Sequence, residues 1–159
     1  MTTSTTAGPA SIRRATQDDA GAIQRVLAGA DLTIAGVAEI MREHAGDFFV
    51  AESSGAQRQI VAVSGLDVRG DMAVLRSVAV HPDWRGRGVG QAVARQAIAD
   101  ADARGIHALY LLTVTAERFF PRFGFERVER ARIPHAIAET VEFASACPAT
   151  AVAMVRDKP

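Results

Sequence analysis

The sequence has a single cysteine, Cys147, so it can form no intrachain disulfide and no cysteine-rich zinc site. That usage fits a reducing compartment, and a cytoplasmic protein is expected. It also has no net charge, since eighteen Lys and Arg balance eighteen Asp and Glu. Nucleic acid and anionic membranes both call for a basic field, which this chain lacks. With one Trp, one Tyr and seven Phe it offers few rings for bases to stack on. No apolar run approaches the roughly 18 residues of a spanning helix. The composition therefore argues against nucleic-acid and membrane partners and for a small or locally recognised one, with no metal implied.

The first ten residues are rich in Thr and Ser, carry no Lys or Arg and have no apolar core. Residues 1–10 read as a disordered tail rather than a signal peptide. Residues 11–157 read as one domain, because 159 residues that are 48% apolar suit a single core.

Ser11 to Ala15 reads as a strand, and Thr16 with Asp18 and Asp19 as the capped, acidic start of a helix reaching about Ala28. Gly36 interrupts a small apolar stretch that reads as a substrate lip, and Val37 to His44 forms a second helix. Phe48 to Glu52, Ile60 to Asp67 and Met72 to Val80 are β-rich runs parted by turn residues, which predicts an antiparallel meander. Val89, Ala92, Val93, Ala97 and Ala101 recur at helical spacing, with Gly105 placed to end that helix. Ala108 to Val114 reads as a buried strand, then a short helix around Ala116 to Phe120 closed by Pro121 and Gly124. A strand is expected near Phe125, a helix over Pro134 to Ala146 with Ile137, Val141 and Phe143 or Ala144 inward, and a last strand over Ala149 to Arg156. Strands first grouped and then alternating with helices indicate a mixed sheet in an α/β or α+β domain.

The chemistry concentrates in Leu75-Arg-Ser-Val-Ala-Val80-His-Pro-Asp-Trp-Arg85-Gly-Arg-Gly-Val-Gly90-Gln, a strand that passes through a glycine-rich loop into a helix. The first amides of a helix have no partner within it, and the helix dipole adds positive potential, so a phosphate is well received at such a junction. Glycines admit close backbone approach, and Arg85 and Arg87 add charge. A flexible basic turn would explain Arg-Gly-Arg-Gly equally well taken alone. The dinucleotide fingerprint fails at Gln91, where its third glycine would stand, and no Gly-Lys-Ser or Gly-Lys-Thr follows for a Walker loop.

This segment resembles the acetyl-CoA signature of the GNAT acetyltransferases, Arg/Gln-x-x-Gly-x-Gly/Ala after the fourth strand, which Arg85, Gly88 and Gly90 match. A second family block, Asn-x-x-Ala-x-x-x-Tyr-x-x-x-Gly-Phe, is similar to Thr113-Val-Thr-Ala116-Glu-Arg-Phe-Phe120-Pro-Arg-Phe-Gly124-Phe125, with Ala116, Gly124 and Phe125 in agreement. The resemblance covers Ser11 to Arg156. It implies the GNAT fold: one mixed, mostly antiparallel sheet of about seven strands, splayed between strands 4 and 5 and flanked by helices. It also implies acetyl-CoA as co-substrate. Arg85, Gly86, Arg87, Gly88, Val89, Gly90 and Gln91 would hold its diphosphate, and Val78, Ala79 and Val80 the pantetheine arm. Thr113, Ala116, Phe119 and Phe120 are implied as further contacts, and the Val78 amide as oxyanion donor. A homodimer is expected by analogy with the family.

The family tyrosine that protonates the leaving thiolate is replaced by Phe120. A thiol with a pKa of about 8.5 can leave without full protonation, so activity does not require that tyrosine. Ala108-Leu-Tyr-Leu-Leu-Thr-Val-Thr, the Phe-Phe-x-x-x-Gly-Phe run and the ending Thr140 to Met154 resemble the N-acetylglutamate-synthase-like amino-acid acetyltransferases, including the small ones named for arsenic-resistance operons. The acceptor implied is a small-molecule primary amine, an amino acid or its analogue.

Arg76 lies two residues before Val78, so an unbroken strand would turn both to one face and let the guanidinium clamp an acceptor carboxylate. A surface arginine and a strand bulge are the competing readings. Glu52 and His135 are the candidate bases; a strand-end charge for Glu52 and a helix cap for His135 are the blander readings, and the sequence favours those. Thr150, at the start of the last strand, is placed for a hydroxyl near the CoA sulfur, with plain β-propensity as its alternative. His81 shapes a turn, His44 and His107 face solvent, and Cys147 packs. Direct attack of the amine on the thioester is the expected mechanism. The competing functions are acetylation of another amine (an antibiotic, a polyamine or a protein N-terminus) and a catalytically silent acetyl-CoA-binding regulatory module.

Overall fold

The computed structural model describes residues 10–55, 57–146 and 149–157. The tail expected over residues 1–10 lies outside them except for Ala10, which already opens the first strand. Among the described residues, no helix is long and apolar enough to cross a membrane. Residues 10–65 and 77–97 make one compact unit; residues 66–76 and 98–157 make a second.

Seven strands form one mixed sheet in the order β1-β2-β3-β4-β5-β7-β6. They are β1 (Ala10–Arg14), β2 (Phe48–Ser53), β3 (Ile60–Arg69), β4 (Met72–Val80), β5 (Ala108–Thr113), β6 (Glu126–Arg127) and β7 (Val152–Asp157). The helices are α1 (Ala20–Gly29), α2 (Val37–His44), α3 (Val89–Ala103) and α4 (His135–Ala138). Where the splay is expected, β4 and β5 run parallel and their pairing covers only Met72–Val74 against Ala108–Tyr110. The other recorded pairings, β1–β2, β2–β3, β5–β7 and β6–β7, are antiparallel.

In the first unit, Ile23, Val26 and Leu27 of α1 and Val37 and Met41 of α2 recur at helical spacing and pack with Phe48, Val50, Val63 and Ala79. Phe48 fixes Gly65 on the neighbouring strand, because a Cβ there would fall 2.5 Å from the ring. The capped, acidic start expected at Thr16 is present as a capping box with Asp19, although the turn it opens is 3-10 and precedes α1. Gln17–Asp19 is a 3-10 turn, and the Asp19 carboxylate accepts the Thr16 N–H at 2.8 Å. Gly36 precedes α2 with φ of 81°, a conformation open to glycine.

In the second unit, Val74, Ala108, Tyr110 and Ile137 form a small core flanked by Met72, Ile133, Phe143 and Val155. Two expected helices are corrected here. Ala116–Phe119 is irregular, and the helical turn is Phe120–Phe123, a 3-10 turn that Pro121 begins rather than ends; proline's missing N–H costs nothing in a first turn. The helix expected over Pro134 to Ala146 is broken after α4, because the Thr140 hydroxyl turns back to donate to the Ile137 carbonyl at 2.7 Å. One π turn, Glu142–Ala146, follows. Ile137 is buried as expected, Val141 and Phe143 are half-buried, and Ala144 is exposed.

Candidate functional site

The end of β4 and the start of α3 meet at the glycine-rich loop within the first unit. Ala79 points into the core, which leaves Val78 and Val80 half-buried on the opposite face. His81 does shape the turn: its amide donates to the Val61 carbonyl at 2.7 Å and its Nδ1 accepts the Asp83 N–H at 3.1 Å. The Gly88 carbonyl accepts from the Ala92 amide at 3.1 Å, so the helical bonding starts there and the amides of Val89, Gly90 and Gln91 form its first turn.

The three loop glycines serve different ends. Gly86 and Gly88 each have φ of 80° with open space around them, so conformation selects glycine. At Gly90 a Cβ would fall 2.9 Å from Cγ2 of Val80, so close helix–strand packing selects it. Arg85, Gly86, Arg87 and Gly88 are exposed, and the Arg87 guanidinium lies 4.5 Å over the Trp84 ring.

Glu52, the first candidate base, stands half-buried at an irregularity in the β2–β3 pairing. Its Oε1 meets Arg13 Nε at 3.4 Å, while the Arg13 fork grips both oxygens of Asp19 at 2.8 and 3.0 Å. That grip, helped by the Thr16 N–H and opposed by burial, holds the Asp19 carboxyl below the ordinary range. Asp19, in turn, raises the Arg13 pKa. In the described structure Glu52 is engaged by an arginine.

In the second unit, Thr113 Oγ1 accepts the Ala116 N–H at 2.9 Å, so the threonine closes this turn in the place of the family asparagine. Phe120 is buried edge-on against Phe119 and Phe125, and Arg122 covers Phe119 at 4.7 Å. His135, the second candidate base, has a side chain 91% exposed and meets Glu139 one turn away at 3.3 Å. Thr150 is corrected in position: it stands exposed in a turn ahead of β7 rather than on it. Cys147 lies outside the described residues.

Arg76 is the candidate whose surroundings differ most from the expectation. Its side chain is fully buried, and Nη2 meets Oε1 of the buried Glu142 at 3.4 Å. The alternation that would align it with Val78 is interrupted at Ser77, whose φ is 60°. Glu142 is the residue sequence reasoning missed. Its signal is a carboxylate between Val141 and Phe143, two positions expected to face inward. Tyr110 also sits in this core, its phenol pKa pushed up by burial and by Asp157.

Comparison with known proteins agrees with this architecture. A family model described as the acetyltransferase (GNAT) domain matches residues 44–127, slightly over half the chain. An uncharacterised N-acetyltransferase of Chlorobaculum tepidum is 31% identical over 79% of this chain and 81% of its own length. An amino-acid acetyltransferase of Mycobacterium tuberculosis is 30% identical over 74% of this chain and 69% of its own. Among solved structures, N-acetylglutamate synthase from Neisseria gonorrhoeae, complexed with coenzyme A and L-arginine, superposes with a TM-score of 0.75 at 21% identity. That match covers 94% of this chain but 33% of the synthase. A Mycobacterium tuberculosis protein in complex with CoA gives a TM-score of 0.77 at 23% identity, covering 94% of this chain and 99% of the other. The two structural matches establish the fold, and the family model together with the Chlorobaculum tepidum relative shows that the chain belongs to the GNAT acetyltransferases.

Proposed function

We propose that this protein transfers the acetyl group of acetyl-CoA directly to the primary amine of a small molecule, an amino acid or close analogue. The observation that carries the cofactor half is the junction of β4 and α3. There Gly86 and Gly88 adopt positive φ, Gly90 packs on Val80, and two exposed arginines stand beside the first turn of a long helix. The diphosphate is assigned to the backbone from Gly86 to Gln91 with Arg85 and Arg87, and the pantetheine arm to Val78, Ala79 and Val80. The Val78 N–H is the proposed donor to the oxygen that becomes negative as the amine attacks. A fixed donor and the juxtaposition of two bound substrates are the main sources of rate in such a transfer.

The acceptor half is supported by the amino-acid acetyltransferase relative and by a buried arginine, Arg76, whose planar fork suits a carboxylate. A homodimer and an arsenic-linked role follow from the resemblance alone, a cytoplasmic setting from the single cysteine, and all three are proposed on that footing.

The test is thiol release from acetyl-CoA with each common amino acid and with arsenical and phosphinic analogues, beside Gly88→Glu as a loop-blocked control. Turnover of a carboxylate-bearing amine, lost in the control, supports the assignment. Acetyl-CoA binding with turnover only of amines lacking a carboxylate transfers it to another acceptor class. Binding without any turnover leaves a regulatory module.

A further inference from the structure

The buried pair of Arg76 and Glu142 has no part in the transfer as assigned so far beyond the arginine. Its side chains are 0% and 7% exposed, and Nη2 of Arg76 stands 3.4 Å from Oε1 of Glu142. Burying two ions is costly, and such a pair gains little over apolar packing, so stability is a poor reason for it. Glu142 also opens the π turn Glu142–Ala146, a helical irregularity that occurs preferentially at functional sites.

We infer that Arg76 and Glu142 together receive the zwitterionic head of the acceptor, its carboxylate on Arg76 and its ammonium on Glu142, and that Glu142 is the base that deprotonates the amine. The inference rests on the amino-acid reading of this site. An ion pair and a zwitterion have complementary charges, so exchanging partners turns one enclosed salt bridge into two with no net charge added. An amine without a carboxylate, or a carboxylate without an amine, leaves one buried ion uncompensated.

The protons balance as follows. Glu142 takes one proton from the ammonium, and the nitrogen lone pair bonds to the acetyl carbon. The carbon–sulfur bond breaks with its electron pair on sulfur, the second nitrogen proton goes to that thiolate, and protonated Glu142 then returns its proton to solvent. Of the other titratable and charged groups on the surrounding elements, Arg69 is held by Asp67 on β3, and His135 meets Glu139 on and beside α4. Arg130 lies 5.8 Å over Phe143, and Asp157 of β7 acts on Tyr110 of β5. Arg76 is a cation set against Glu142.

The experiment is the pH profile of kcat/KM for the amino acid turned over, in the wild type, Glu142→Gln and Glu142→Asp, with acetyl-CoA binding measured on each. We expect Glu142→Gln to lose about 100-fold near pH 7 and to recover as pH approaches the amine pKa, with Glu142→Asp retaining more activity and acetyl-CoA binding unchanged. A Glu142→Gln profile parallel to the wild type overturns the inference and leaves Glu142 a structural counter-ion. Should the variants not fold, inhibition of the wild type decides. The deaminated acid should bind at least about tenfold more weakly than the amino acid, the discrimination of a site built for two groups, and equal binding overturns the inference. If no amino acid is turned over, the proposed function falls and this inference with it, an outcome distinct from turnover with an unshifted profile.

Discussion

Gly90 lies so close to Val80 that a Cβ on it would fall 2.9 Å from Cγ2 of the valine. The first turn of α3 therefore rests on the end of the strand assigned to the pantetheine arm. Gly90→Ala must push the two apart and should raise the KM for acetyl-CoA about tenfold, an effect near 1.4 kcal/mol. Val80→Ala removes the obstructing methyl and should restore part of the loss. Gly88→Ala, at φ of 80° in open space, loses through backbone strain of about 1 to 2 kcal/mol, and Val80→Ala should not help it. A double-mutant cycle on acetyl-CoA affinity separates the two causes.

Ser77 holds φ of 60° between Arg76 and Val78, a left-handed conformation that costs a residue with a Cβ about 1 to 2 kcal/mol. Ser77→Gly should melt at or above Ser77→Val, whose branched side chain tolerates that conformation least. If the Val78 amide supports the oxyanion, Ser77→Val should lower kcat more than it raises the KM for acetyl-CoA. Thermal melts and steady-state kinetics on the two variants check both statements.

Much of this architecture is legible in local sequence because local rules determine it. Gly36 ahead of Val37–His44, the Arg-Gly-Asp turn between β3 and β4, and the apolar spacing of α3 all specify their elements within a few residues. The strand, loop and helix of the acetyl-CoA signature belong to the same class. What escapes is set by distant partners. Glu142 is buried because Arg76 waits for it on β4, and no periodicity around Val141 reports that. Glu52 looks like an available base until Arg13, on another strand, closes on it. The break after α4 depends on Thr140 bonding to the Ile137 carbonyl, a choice open to any threonine that propensity alone cannot make.

Asp19 connects the first turn of the chain to Arg13 and so gives stability a pH dependence. Its carboxyl titrates below the ordinary range when folded, chiefly because the Arg13 guanidinium hydrogen-bonds it. An unfolded aspartate takes up its proton at about pH 4. The contribution is thus fully present above that pH and is lost as pH falls through the lower folded value. Asp19→Asn should destabilise the protein by about 1 to 2 kcal/mol at pH 7, the worth of a charge-assisted contact partly open to water. Urea unfolding at pH 7 and below pH 4 should show the wild type and the variant converging in acid.

Arg87, stacked 4.5 Å over Trp84, is exposed yet restrained beside the glycine loop. A guanidinium parked on an indole face loses less freedom when it meets a phosphate, since the ring has already fixed its direction. Arg87→Ala should therefore raise the KM for acetyl-CoA with little change in kcat, by about three- to tenfold for a contact near 1 kcal/mol. Trp84→Ala should produce a smaller change in the same direction although it removes no charge, because it releases the arginine. Added salt should shrink the Arg87→Ala effect, as for any exposed charge pair. If Trp84→Ala leaves acetyl-CoA affinity unchanged while Arg87→Ala lowers it, the charge acts alone and the stacking is incidental.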